Sequence, residues 1–453
     1  MTTLRLFLTL FFLGLLGVTA RAEIRVGVFD VDASPPVGSP LAYDPTKGIQ
    51  TPLSCRGIVI AGAEKPIVLV AIDWIGISSG GQTVFKDAIA EAVGTEPNRV
   101  VIHALHQHDA PRCDFDAEDL LKTEAGLSGA GFDPEFARDV VNRAAAAAGK
   151  ALKGAVPVTH VGLGKGIVEK VASNRRILGE DGKVKVTRYT ATKNPEVRAY
   201  PAGTIDPELK MITFWKGDSA IAALSYYATH PQSYYRTGMA NPDFPGLARN
   251  ARQTETGIPH IHFNGAGGNI GAGKWNDGSK ENRQVLAERV AAGMKLALEN
   301  TKKSLLKAGD VKWEVEPVLL PVGAHVKEDE LLAKIRNKVE TPGGRYGAAK
   351  ALIWLRRCRE KDPIPVSCFA VGDARILHLP GELFVEYQLN AQKLRPDLFV
   401  GMAAYGDYAP GYIGTEIAYS QGGYEASNRA SRVAPEVESV LMGAVKTLLE
   451  KTD

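Results

Sequence analysis

Apolar positions recur along this chain with two periods. Short β-branched runs alternate with longer segments in which apolar residues return every three to four positions. The short runs predict strands over 24–31, 55–61, 67–74, 100–106, 158–171, 211–215, 220–227, 260–263, 369–371 and 374–379. The longer ones predict helices over 133–153, 277–300, 331–337, 348–361, 382–394 and 435–451. The first of these opens on Asp133-Pro134, a capping carboxylate before a proline in the first helical position. Regular alternation of the two kinds predicts an α/β protein with a mixed β-sheet core flanked by helices. No repeat or low-complexity linker divides the chain; the polar stretch 302–345 is the one candidate for an inserted subdomain.

The N-terminus departs from this pattern. One basic residue, Arg5, precedes an apolar run over 6–20, and Ala20-Arg21-Ala22 is a small-x-small cleavage sequence. Residues 1–22 therefore read as a signal peptide, with a mature protein of residues 23–453 that is secreted or periplasmic and has no transmembrane segment. Composition is that of a globular enzyme, 45% hydrophobic and 23% charged. A net charge of +3 with no basic tract gives no reason to expect nucleic acid as a partner. Cys55, Cys113, Cys358 and Cys368 form no C-x-x-C pair, which argues against a structural zinc knot. In an oxidising compartment they allow disulfides, Cys358–Cys368 being the more local pairing.

Candidate chemistry gathers at strand ends. The segment Val100–Pro111 reads as a strand ending in His106-Gln107-His108, so the two imidazoles would share one face and His103 the other. Ala228-Thr229-His230-Pro231 ends another strand on a histidine held extended by the following proline. A buried structural histidine is the ordinary alternative for each. Asn264–Gly271 is a glycine-rich loop after a strand, suited to close backbone approach and to binding an anion or oxyanion through bare N–H groups. It lacks the dinucleotide fingerprint and the phosphate-loop lysine. Pro380-Gly381-Glu382 presents a carboxylate at a turn, and Gly411-Tyr412 and Gly423-Tyr424 set tyrosines in glycine-rich loops. His260 and His262 are a competing H-x-H pair.

In this order the motifs resemble those of the neutral, non-lysosomal ceramidases and their bacterial relatives. The family's T-H-T-H-S-G-P element is similar to Leu105-His106-Gln107-His108-Asp109-Ala110-Pro111. Its A-T-H-P and P-G-E elements match residues 228–231 and 380–382 outright. Its G-Y-V-T-T stretch, followed twelve residues after the tyrosine by Y-E-G, is similar to Gly411–Thr415 and Tyr424-Glu425-Ala426. An Asn-Arg pair between the first two histidine motifs is similar to Asn174-Arg175, and the likeness runs over about residues 24–430. The resemblance implies one zinc ion (Zn2+) held by His106, His230, Glu382 and Tyr412, with His108 as acid/base or oxyanion-stabilising imidazole. It further implies Arg175 and Tyr424 on the substrate carbonyl, and Gly268, Asn269 and Gly271 beside the substrate. Asp73, at a strand end, is a candidate to orient a ligand histidine from behind, a salt bridge or helix cap being the alternative.

Two departures bear on substrate. The family's glycine-rich loop carries a serine where this chain has Gly271, which excludes a serine nucleophile there. An immunoglobulin-like C-terminal domain is also not expected, since the chain ends soon after the last motif. The chain thus reads as an exported zinc-dependent hydrolase of an amide (N-acyl) bond in a small or lipid-like substrate, acting through activated water. The rival is a non-catalytic binding protein on the same scaffold with a vestigial or structural metal site.

Overall fold

A computed structural model describes residues 23–452, so the expected signal peptide lies outside the described residues. The α/β expectation holds, with the strands divided among three mixed sheets of four or five strands and five two-stranded ones instead of one sheet. The first runs in the order Val100–Ala104, Ile67–Ile72, Ser54–Ala61, Arg25–Asp32, Val156–Pro157. The second runs His260–Asn264, Ser219–Tyr227, Glu208–Lys216, His160–Ile167, Lys302–Leu305. The third runs Val311–Val318, Ile364–Val371, Ala374–His378, Phe399–Ala403.

All three sheets are built alike. An antiparallel pair is followed by a helix, which carries the chain back to a parallel strand at the sheet edge. The crossover helices are Gly80–Val93, Asp243–Thr256 and Val385–Leu394. Parallel pairing requires such a crossover, and it places both carboxyl ends of a pair at the same end of the sheet.

The central and parallel strands are buried on both faces, which explains their near-continuous hydrophobicity. In Ile67–Ile72, Ile67, Leu69 and Ala71 enter a core shared by the three sheets. Val68, Val70 and Ile72 face a separate core under the helices. The same alternation sends Leu224 and Tyr226, and Ile376 from the third sheet, into the shared core. Their neighbours Ala223 and Tyr227 and Leu377 pack under helices. Three bonds close a ring where the edge strands meet: Ala104 N–H to the Tyr405 carbonyl (3.0 Å), Ala404 N–H to Asn264 (3.0 Å), and Asn264 Nδ2 to Leu105 (2.6 Å). The carboxyl ends of the parallel pairs therefore open onto one region.

Several expected boundaries move. The strand predicted over 100–106 stops at Ala104, and 158–171 reduces to His160–Ile167. Helices at Gly80–Val93, Phe115–Ala125 and Asp243–Thr256 went unpredicted. The stretch 302–345 supplies an edge strand to each of two sheets and the helix Glu328–Arg336. All four cysteines are free thiols. No helix among the described residues is long and apolar enough to cross a membrane.

Candidate metal and active site

Each site residue is set by a loop leaving one of those carboxyl ends. His106 and His108 do not converge as strand neighbours. His106 lies past the strand end in the left-handed region, φ 67°, and this kink brings the two rings to 5.1 Å. The His106 N–H is held by the Trp74 carbonyl (2.9 Å). His230 follows the strand Ser219–Tyr227, with its ring 4.8 Å from His106 and 4.9 Å from His108. Glu382 precedes the third crossover helix and pairs in parallel with Tyr412 over two residues. The helix predicted from residue 382 starts at Val385, which leaves Glu382 free to face the histidines.

Hydrogen bonds fix how these rings present themselves. His106 Nδ1 lies 2.6 Å from the Ile75 carbonyl and His108 Nδ1 3.1 Å from that of Pro231. A carbonyl only accepts, so both Nδ1 atoms carry the proton and both Nε2 atoms are lone-pair acceptors when the rings are neutral. His106 Nε2 then stands 3.1 Å from Glu382 Oε2, and His108 Nε2 stands 3.4 Å from His230 Nε2. His230 Nδ1, 3.6 Å from the same carboxylate oxygen, has no hydrogen-bond partner, and neither does Glu382 Oε2. Acceptors thus face one another in a buried space, an arrangement that a cation at their centre relieves. Ligand atoms of His106, His108 and His230 all lie within 4.8 Å of one another, a group able to hold a metal ion.

Electrostatics favours the ligand forms. Burial, reinforced by the neighbouring imidazoles, pushes His108 and His230 well below the usual histidine range and keeps them neutral. Burial works against the charge of Glu382, but a positive charge at His106 Nε2, a proton's or a cation's, and the hydroxyls of Tyr408 and Tyr412 outweigh it and hold the carboxyl below its usual range. The Tyr408 hydroxyl donates to Glu382 Oε1 at 2.5 Å. Arg175 donates from Nη1 to the Tyr412 hydroxyl at 3.2 Å and pairs through Nε with the buried Glu425 at 3.1 Å. Burial opposes its charge, and Tyr412 and Glu425 more than compensate.

These groups line one cavity of about 520 Å³, walled by His106, His108, His230, Glu382, Tyr412, Arg175 and Tyr424. Tyr43, Tyr189, Tyr235, Tyr408 and Arg429 also line it and were not singled out in the sequence. Tyr405, also missed, stacks on His106 with ring centroids 4.5 Å apart. The signal for Tyr405 and Tyr408 was their place directly after the strand Phe399–Ala403, in a position equivalent to that of the histidine motif.

Other sequence candidates take different places. Asp73 does not touch His106, His108 or His230: both of its oxygens bind Arg249 (2.6 and 2.8 Å), and Oδ2 also accepts from Ser54. The Ile75 and Pro231 carbonyls orient the imidazoles instead. The glycine-rich loop supports the ligand loops: Gly268 N–H donates to Leu383 O (2.7 Å), and a Cβ there would lie 2.3 Å from the Glu382 carbonyl oxygen. Asn269 accepts from Val385 N–H (2.9 Å) and donates to Glu386 (2.8 Å), while its carbonyl accepts from Arg175 N–H (2.8 Å). Neither residue lines the cavity. At Gly271 a Cβ would be in ordinary contact with the Arg175 side chain, 3.4 Å from Cγ. His262 is bonded to Ser225 (2.8 Å) and Asn264 (3.2 Å), and with His260 it forms no cluster able to hold a metal.

Comparison with solved structures gives the class: the fold is that of neutral ceramidase. The neutral ceramidase of Pseudomonas aeruginosa superposes with a TM-score of 0.69 at 18% identity, over 95% of this chain and 75% of that one. A ceramidase complexed with C2 gives a TM-score of 0.69 at 17% identity, over 95% and 76%. No family model matches the sequence, and no curated protein does.

Proposed function

We propose that the protein is a zinc-dependent hydrolase that cleaves the amide bond of an N-acyl, lipid-like substrate. The observation that carries this reading is the buried convergence of His106 Nε2, His230 Nδ1 and Glu382 Oε2, the last two without a hydrogen-bond partner. Two imidazoles, a carboxylate and a phenol suit zinc, and we assign His106, His230, Glu382 and Tyr412 as its holders. A bound zinc supplies Lewis-acid chemistry, lowering the pKa of water from about 15.7 to about 7 and polarising a carbonyl. That source of nucleophile needs no serine, in keeping with Gly271.

The chain's own side chains manage protons and charge. His108, neutral and with its Nε2 lone pair facing the cavity, takes the proton from the attacking water and returns it to the departing nitrogen. Its Nδ1 contact to Pro231 fixes the tautomer that this requires. Arg175 stays charged and, with the Tyr424 hydroxyl, stabilises the negative charge developing on the carbonyl oxygen. Glu425 holds the guanidinium in place from the far side.

The test is release of free amine from N-acyl amides by the mature protein. Zinc-loaded protein is expected to turn over, chelated protein to stop, and added zinc to restore the rate. A chelator-insensitive rate, or none in zinc-loaded protein, would overturn the proposal. We place the enzyme outside the cytoplasm on the pattern of residues 1–22, and an N-terminus near Glu23 in protein recovered from the periplasm or medium checks that placement.

A further inference from the structure

A second, smaller cavity of about 160 Å³ adjoins the metal-facing one, sharing the walls Tyr43, Ile75, Tyr408, Tyr412, Tyr424 and Arg429. Four cationic side chains line it, Arg112, Lys350, Arg429 and Arg432, and no carboxylate does. Lys350 projects from the helix Pro342–Arg359 and is buried, 7% exposed. Its ammonium lies 5.5 Å from the ring centre of Tyr346 and 5.3 Å from that of Tyr408. It has no hydrogen-bond acceptor or ion-pair partner among the described residues. Asp114, whose carboxyl burial pushes well above the usual range, does not line the cavity, and its Oδ1 caps the helix Phe115–Ala125 through Ala117 N–H (3.2 Å). Arg112 and Arg432 each give one guanidinium nitrogen to a backbone carbonyl, Ala42 and Ala409 respectively, and Arg112 Nε is left without a partner.

Burial and the neighbouring Arg112 and Arg432 push the Lys350 ammonium well below the usual lysine range, a cost that an anion in the compartment would relieve. The volume holds a carboxylate or phosphate with a few waters, a water's share of liquid being about 30 Å³. Its cationic and phenolic lining does not suit a further acyl chain. We propose that this compartment binds an anionic group, carboxylate or phosphate, carried by the amide substrate, so that the enzyme prefers anionic N-acyl compounds to neutral ones. The inference rests on the hydrolase reading of the adjoining site. Guanidinium forks and an ammonium on one anion give charge-assisted bonds that a neutral hydroxyl or carboxamide does not match.

The experiment compares kcat/KM of zinc-loaded enzyme on matched pairs: an N-acylglycine against its glycinamide, an N-acyl aminoethyl phosphate against its ethanolamide, and an N-succinyl against an N-butyryl amide. At least one anionic member is expected to be favoured by about tenfold or more. The anionic-to-neutral ratio should collapse toward one in Lys350→Met and fall in Arg429→Gln, a change at an exposed side chain that leaves folding untouched. The pair with the largest ratio identifies carboxylate or phosphate as the group bound. Separately, inorganic phosphate should raise the melting temperature of the parent and not of Lys350→Met. Ratios near one in every pair, or ratios and phosphate response unchanged in both variants, would overturn the proposal. If no amide is cleaved at all, the hydrolase reading fails and the phosphate response alone decides whether the compartment binds anions.

Discussion

At the scale of single residues, function turns on which atom each side chain presents. The backbone carbonyls of Ile75 and Pro231 select the tautomers of His106 and His108, and positive charge at His106, with the hydroxyls of Tyr408 and Tyr412, keeps Glu382 ionised. Tyr424 differs from these in carrying no structural bond through its hydroxyl, so its role can be tested without damage to the fold. Tyr424→Phe is expected to lower kcat by about 10²-fold, as removal of one oxyanion donor does elsewhere, with zinc content and KM near those of the parent. Steady-state kinetics beside metal analysis checks this. Seven of the residues read from motifs, His106, His108, His230, Glu382, Tyr412, Arg175 and Tyr424, meet in one cavity. Their order and spacing were legible because such motifs are short and local. Tyr405 and Tyr408 lie outside every motif and Glu425 inside the last one without a role assigned to it, since each acts on a residue brought near only by folding.

Elements explain why the histidines and Glu382 converge and where sequence inference went astray. Strands were legible because burial on both faces writes continuous hydrophobic runs. The helices Gly80–Val93 and Asp243–Thr256 were hidden by their own starts. One opens on Gly80-Gly81, and the other has Asp243 at φ 50° and then Pro245-Gly246, residues that normally mark turns. The second of these helices carries Arg249, which docks on Asp73 at the end of the strand Ile67–Ile72. Because both side chains are buried, Asp73→Asn strands a guanidinium in the interior and is expected to cost about 3–5 kcal/mol of stability. Denaturant unfolding measures the loss. The zinc content of the folded fraction should not change, because the pair braces sheet against helix and touches no ligand.

The molecule as a whole is three similar sheet-and-helix units around a shared core, with the site where their parallel strands end. This position follows the general rule that α/β sheets bind ligands beyond the carboxyl ends of parallel strands. The threefold build was not legible as a sequence repeat, since the units share topology and not residues. Buried histidines make this assembly acid-sensitive. Burial and the neighbouring Arg249 push His262 down to about 3, and burial and nearby arginines push His260 to about 4. Both bind a proton near pH 6.5 once unfolded, so the unfolded state takes up more protons and stability falls with acidification. Stability is full above about pH 6.5 and is lost toward pH 4 at about 1.4 kcal/mol per pH unit for each histidine. Denaturant midpoints of the parent and of His262→Gln, followed from pH 7.5 to 4.5, should show a shallower slope in the variant. The central claim is that His106, His230, Glu382 and Tyr412 enclose one zinc ion, and elemental mass spectrometry of the mature protein beside His230→Ala and Glu382→Gln tests it most directly. The account predicts close to one zinc per chain in the parent and under a tenth of that in both variants; a parent without zinc after zinc is supplied, or variants that retain it, would contradict the account.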